Sequence, residues 1–182
     1  MMVYVILGNG FEDIEAVTCI DMLRRGRVEV TTVGVGSPVI ESAHGIRMQA
    51  DTVVGLVQPC LGDYIVIPGG MGGVESCEAS EELSALLIEA GRIGVKLCAI
   101  CAGPRVLCKL GLLNGYKITC YPGMESEMTG AIADSCDAVV HDRNRITGRA
   151  PGSSLSFAYT ILEAIKGERV ADRVKRSMVC AF

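Results

Sequence analysis

The chain has no tryptophan, and its aromatic content is only 4%. A platform on which nucleobases stack needs aromatic faces, so that mode of single-strand binding is excluded. Positive charge is also lacking: 17 lysines and arginines against 21 aspartates and glutamates leave a formal net charge of −4. Sequence-independent nucleic-acid binding rests on a basic surface and is excluded with it. Histidine is scarce too. His44 and His141 each stand alone, so no second Cys/His pair at close spacing completes a zinc site. No apolar run reaches membrane-spanning length, and Met1–Leu7 is too short for a signal peptide.

What is present suits a packed interior. At 182 residues, with 49% hydrophobic and 21% charged residues, the chain reads as one domain, 1–182, long enough for a substantial core. Nine cysteines are scattered, odd in number and mostly set in apolar segments. That distribution suits reduced thiols in a cytoplasmic protein better than a disulfide framework.

Strand and helix signals alternate. Met2–Leu7 is a continuous apolar run ending in Gly8–Asn9–Gly10, and Phe11–Arg25 follows as a helix with acids in its first turn and arginines in its last. Val28–Val35 is a second strand, so a βαβ crossover and a parallel sheet are expected. Pro38–Asp51 reads as a short hairpin or edge excursion. Asp63–Ile67 is a buried strand, and the loop Pro68–Gly73 has glycine at four of the five positions 69–73. Ser80 caps a helix to about Ala90, with Gly91 just beyond. Lys117–Cys120 reads as a short strand, Ala138–Val140 and Arg145–Thr147 as a hairpin. Ser153 or Ser154 caps a long helix closed by Gly167, and Arg169–Arg176 is a last helical piece. The sum is an α/β sandwich on a mostly parallel sheet. In such folds a site lies beyond the carboxyl ends of the strands, where Gly8–Glu15, Pro68–Gly73 and Cys101–Pro104 converge.

The central stretch is Lys96–Leu107. Its first half is a buried strand and Pro104 opens a helix, where its missing N–H costs nothing. Cys101 therefore sits at a strand-to-helix turn, in an Ala99-x-Cys101-x-Gly103 pattern that is the cysteine form of the nucleophile elbow. Unpaired helix N–H groups and the helix dipole there favour the thiolate, and Gly103 lets the backbone turn tightly. A buried, inert cysteine is the bland alternative. Cys98-x-x-Cys101 does not make a redox pair, because three residues of extended chain span about 10 Å. Gly8-x-Gly10 lacks the third glycine of a dinucleotide fingerprint. The N–H of Ala102 and one from Gly69–Gly70 supply an oxyanion site. Glu12, Asp13 and Glu15 are three candidate acids, and spacing alone does not choose among them. His141 is expected to be exposed; His44 is a candidate for the site's edge.

Ile100–Cys101–Ala102–Gly103–Pro104, Pro68–Gly69–Gly70, Phe11–Glu12–Asp13–Ile14–Glu15–Ala16 and Arg149–Ala150–Pro151–Gly152–Ser153 together resemble the ThiJ/PfpI superfamily, and most closely its parkinsonism-associated DJ-one branch. The resemblance covers essentially the whole chain. It implies a flavodoxin-like three-layer sandwich, a homodimer, a reactive and oxidisable Cys101, and a protonated Glu15 bonded to its sulfur. Backbone donors carry over to Gly69, Gly70 and Ala102. Members are described as glutathione-independent glyoxalases acting on methylglyoxal, protein deglycases, oxidative-stress sensors or chaperones; some carry a thiazole monophosphate biosynthesis label. No metal or organic cofactor is implied, and a small aldehyde is the implied substrate. The chain also departs from the pattern. Ala102 replaces the histidine that follows the nucleophile in protease-like branches, which disfavours a Cys–His peptidase. Tyr121 stands where relatives often have a histidine, and residue 150 is Ala where many have Gly. His44 aligns with a pocket arginine of some relatives, Arg25 with a basic residue near the dimer contact, and Arg149 lies in the last motif. Two functions follow: an enzyme on small α-oxoaldehydes through Cys101 and Glu15, or a sensor or chaperone in which Cys101 oxidises to a sulfinate.

Overall fold

The computed structural model describes residues 1–133 and 136–181. Strand β1 (Val3–Leu7) leads into helix α1 (Asp13–Arg25) and back into β2 (Val30–Gly34). An antiparallel hairpin, β3 (Val39–Glu41) and β4 (Arg47–Gln49), follows as a separate two-stranded ribbon. Then come β5 (Thr52–Val53), β6 (Tyr64–Ile67), α2 (Met71–Glu78), α3 (Glu81–Arg92), β7 (Lys96–Ile100) and α4 (Pro104–Lys109). The chain ends in a hairpin of β8 (Val139–Asp142) and β9 (Arg145–Gly148) and two helices, α5 (Ser154–Lys166) and α6 (Glu168–Ser177).

The main sheet has the order β5-β2-β1-β6-β7-β9-β8. All its pairings are parallel except β8 with β9. Helices α1, α5 and α6 pack together, as do α2, α3 and α4, with the sheet between the two groups. A sheet covered on both faces needs strands that are apolar on both faces. Tyr64–Ile67 and Leu97–Ile100 are accordingly buried at every position. The chain crosses from β1 to β2 on one side and returns to β6 on the other, so the strand order switches at β1/β6. The crevice beyond their carboxyl ends is where such a sheet binds small molecules. Among the described residues no helix is long and apolar enough to cross a membrane.

Several expectations need correction. The glycine-rich run is not all loop, because Met71, Gly72 and Gly73 form the first turn of α2. Gly91 lies inside α3, which runs on to Arg92; the backbone with positive φ comes later, at Gly94. Lys117–Cys120 makes only an isolated bridge from Lys117 to Ile132, too little pairing for a strand. Ser80 does cap α3, its hydroxyl accepting the Leu83 N–H. Ser153 does not cap α5 in that way: its hydroxyl accepts the N–H groups of Arg149 and Ala150 instead.

The elbow differs most from expectation. Gly103 has an ordinary helical φ of −55°. The left-handed residue is Cys101 itself, at φ 63°. Such a conformation costs a non-glycine residue on the order of 1–2 kcal/mol, so its neighbours must hold it. The Cys101 N–H donates to the Gly148 carbonyl at 2.9 Å, and its carbonyl accepts the Tyr121 N–H at 3.0 Å. Gly103 is there for space. A Cβ on it would lie 2.6 Å from the Ile67 carbonyl oxygen and 2.9 Å from that of Ile100. Gly103→Ala should therefore destabilise the protein by roughly 1–3 kcal/mol. Urea unfolding checks this: the midpoint should fall with an unchanged slope.

Candidate active site

Glu15 stands in the first turn of α1, where an acid ordinarily faces solvent and complements the helix dipole. Here its position on the helix turns it inward, and only 1% of it is exposed. Oxygen Oε2 accepts the Gly69 N–H at 2.6 Å. Oxygen Oε1 is buried without a hydrogen-bond partner of ordinary geometry, while the carboxyl as a whole interacts with the Cys101 thiol. The three loops meet at Gly69. A Cβ placed on it would lie 2.8 Å from both the Cys101 Cβ and Glu15 Oε2, and 3.1 Å from the Ala102 nitrogen. Only glycine leaves room for acid and thiol to meet.

Burial dominates the electrostatics. Desolvation raises the Glu15 carboxyl from 4.5 to about 7, against the pull of the Gly69 N–H and the thiol; the charge of Glu12 adds to the rise. Desolvation also pushes the Cys101 thiol up to about 12, and Glu15 pushes in the same direction. The Ala102 and Gly70 N–H groups face the sulfur and pull the other way without prevailing. The expected thiolate is thus corrected. A six-residue helix such as α4 offers little dipole, and the acid beneath the sulfur resists a second negative charge.

The Gly69 N–H is spent on Glu15, so the donors left for a substrate oxygen are those of Gly70 and Ala102. Cys101 opens onto a cavity of about 370 Å³ lined also by Glu12, Gly70, Met71, Ala102, Tyr121, Met124 and Pro151. A wider groove of about 730 Å³ begins at the shared Met71 and runs past Asn9, Gly10, Glu41 and Ser42. Its described lining has no cysteine, and its Ser42 hydroxyl is donated to Asp13, whereas the Cys101 thiol opens onto the smaller cavity.

Other candidates lie apart from the sulfur. His44 is not among the cavity's lining residues; its Nδ1 is 2.6 Å from Asp13 Oδ2, on an exposed edge of the hairpin. That bond, with Glu12 beside it, raises the imidazole. Asp13 is held below its usual value, because Ser42 and His44 outweigh its partial burial. Arg25 pairs with Asp21 at 2.7 Å on the surface of α1. Arg149 turns its guanidinium to Cys136 and the Glu125 charge. His141 is exposed, its Nε2 3.1 Å from the Arg143 carbonyl. Cys98 is fully buried in β7, its thiol far above the ordinary range through desolvation. Among the described residues, Glu12, Asp13 and His44 could hold a metal ion, their ligand atoms lying within 4.8 Å of one another. Sequence reasoning missed Met71 and Met124 as lining residues, and nothing in their spacing marks them. Glu12 was in view, but only as one of three equivalent acids.

The chain matches the DJ-1/PfpI family over residues 1–164. It is 33% identical over 180 residues to protein dj-1beta of Drosophila melanogaster, covering 98% of this chain and 96% of that one. The crystal structure of that fly protein superposes with a TM-score of 0.95, covering 100% of this chain and 98% of the other. A deglycase of Pyrococcus abyssi is 30% identical over 169 residues, 91% of this chain and all of its own length. The glutathione-independent glyoxalase DJR-1.2 of Caenorhabditis elegans is 30% identical over 173 residues, 93% of this chain and 91% of the relative.

The Glu15 carboxyl has a measurable signature in stability. Between pH 4.5 and about 7 the folded chain keeps a proton on Glu15 that the unfolded chain has released. The unfolded state then binds fewer protons, so stability falls as pH rises across that window. The full loss is about 3 kcal/mol above pH 7. Glu15→Gln cannot ionise, so it should be more stable than wild type at pH 8 and lose that advantage at pH 4. Chemical denaturation at the two pH values measures the difference.

Proposed function

Because the chain belongs to the DJ-1/PfpI family, we propose that it is a cysteine-dependent enzyme converting small α-oxoaldehydes such as methylglyoxal to hydroxy acids, or removing their adducts from proteins. One observation carries the reading: a nucleophile, an ionisable acid and two N–H donors that face the sulfur meet at the floor of a cavity of about 370 Å³, ample for a small dicarbonyl. The names of the Pyrococcus and Caenorhabditis relatives point the same way.

A thiol that resists ionisation needs a base in contact with it, and the Glu15 carboxylate is placed to be that base. As the sulfur bonds to the aldehyde carbon, Glu15 takes the thiol proton and the carbonyl oxygen gains it, giving a hemithioacetal. The Gly70 and Ala102 N–H groups stabilise the charge passing through that oxygen. Glu15 then removes the hydrogen from the former aldehyde carbon and returns it to the neighbouring carbon, while the hemithioacetal hydroxyl proton passes to the neighbouring carbonyl oxygen. The sulfur-bound carbon is oxidised and its neighbour reduced, leaving a 2-hydroxy thioester. Water hydrolyses it to the hydroxy acid and restores the thiol. The steps sum to one dicarbonyl plus one water, with no external oxidant or cofactor.

The base form of Glu15 prevails above about pH 7. The kcat/KM for methylglyoxal should therefore climb about tenfold per pH unit below 7 and level off above it. Cys101→Ser and Glu15→Gln should each cost at least about a hundredfold, measured by lactate formation. Wild-type turnover in both variants would overturn the proposal. The second reading is a redox sensor, favoured by the same two N–H groups, which would bind the oxygens of a Cys101 sulfinate. Two oxygens added at Cys101 alone after mild peroxide, with no aldehyde turnover, would select it.

We also propose a homodimer through α1 and the β3–β4 hairpin. The Ala43 N–H donates to the Phe11 carbonyl there, and Ile14, Val17, Val39 and Ile46 are each about half exposed around that contact. Sedimentation at micromolar concentration should show two chains; a monomer would remove this assembly.

A further inference from the structure

The wall of the Cys101 cavity is chemically one-sided. Gly70, Ala102, Met71, Met124, Tyr121 and Pro151 contribute apolar or uncharged surface. Glu12 is the one charged side chain among the described lining residues. Its side chain is only 15% exposed, so solvent screens it poorly.

Nearby cations do not cancel this charge. His44 Nδ1 is 4.0 Å from Glu12 but 2.6 Å from Asp13, so even a protonated His44 is matched by Asp13 first. Arg105 is held by Glu78 and Glu127, and Lys109 by Glu78. Arg149 hydrogen-bonds the Cys136 thiol and is not among the cavity's lining residues. Beneath the floor, any ionised fraction of Glu15 adds charge of the same sign.

We propose that Glu12 makes this cavity selective for uncharged carbonyl compounds with a small apolar substituent, and excludes anionic ones such as 2-oxo acids. The methionines and Pro151 accept a methyl or short alkyl group. A substrate carboxylate would instead sit beside Glu12 with no cation to meet it. The inference rests on the reading above for the reaction itself, but the selectivity belongs to the cavity and is measurable without turnover.

The test uses two alkylating reagents of nearly equal size at the same sulfur, neutral iodoacetamide and anionic iodoacetate. The full chain is treated with each separately, and the Cys101 peptide is followed by mass spectrometry. Their rate ratio cancels the thiolate fraction, and free N-acetylcysteine gives the reference ratio. The preference for iodoacetamide at Cys101 should exceed the reference by on the order of tenfold, the effect of one poorly screened charge at short range. Glu12→Gln should remove most of that excess, and glyoxylate should be turned over far less well than methylglyoxal.

A ratio equal to the reference, or unchanged in Glu12→Gln, would overturn the proposal. So would a preference for iodoacetate, which would mean that a cation reaches the cavity from a second copy of the chain. Labelling is run at about pH 9, where a usable fraction of the thiol reacts; failure of iodoacetamide to label Cys101 even there would also overturn the proposal. Selective labelling without methylglyoxal turnover would instead sink the enzymatic reading and leave the selectivity standing.

Discussion

The site depends on one buried bond, the Gly69 N–H to the Glu15 carboxyl. It ties the first turn of α1, which follows β1, to the loop after β6, and so joins the two sides of the point where the strand order switches. Without it, a carboxyl that is 1% exposed would have no polar partner of ordinary geometry. Stripping water from an acid favours its neutral form, so the bond that positions Glu15 also sits in surroundings that make it a proton carrier near neutrality. The same surroundings act on Cys101 with the opposite consequence, since a desolvated thiol keeps its proton. Acid and thiol therefore form a unit in which neither does the work alone.

That coupling explains where sequence and structure part. The alternation of strands and helices, the mostly parallel sheet, the β3–β4 and β8–β9 hairpins and the Pro104 helix start were legible because each rests on local chemistry: apolar runs, turn residues and caps. The meeting of Cys101 with Glu15 was legible as a convergence of loops, but spacing could not separate Glu15 from Glu12 and Asp13. The choice is made by helix rotation, which buries residue 15 and leaves Glu12 at the cavity wall and Asp13 with His44. The ionisation of the thiol was misjudged for a similar reason. A helix dipole can be read from a sequence, whereas the water removed by long-range packing cannot.

The glycine-rich run shows the same limit. Glycine at 69 is required by the close approach of Cys101 and Glu15, which the sequence only hints at. Gly72 and Gly73 are helical despite their weak propensity. Packing beside Gly10 and Phe11, which leaves no room for larger side chains, outweighs that preference. The strand expected over Lys117–Cys120 fails from the opposite cause. Its apolar residues are buried, yet its backbone bonds go mostly to separate partners, among them Lys117 N–H to the Asp142 carboxylate and Thr119 N–H to the Thr147 hydroxyl.

The left-handed turn at Cys101 is fastened at both ends by segments that come later in the chain, Gly148 and Tyr121. During synthesis the nascent polypeptide emerges amino end first. Cys101 thus leaves the ribosome well before the residues that lock its backbone, and its reactive geometry cannot be complete until Gly148 has been made. A growing chain would carry the sulfur without the shape that gives it purpose, and assembly of the site would itself report that the last strand has docked.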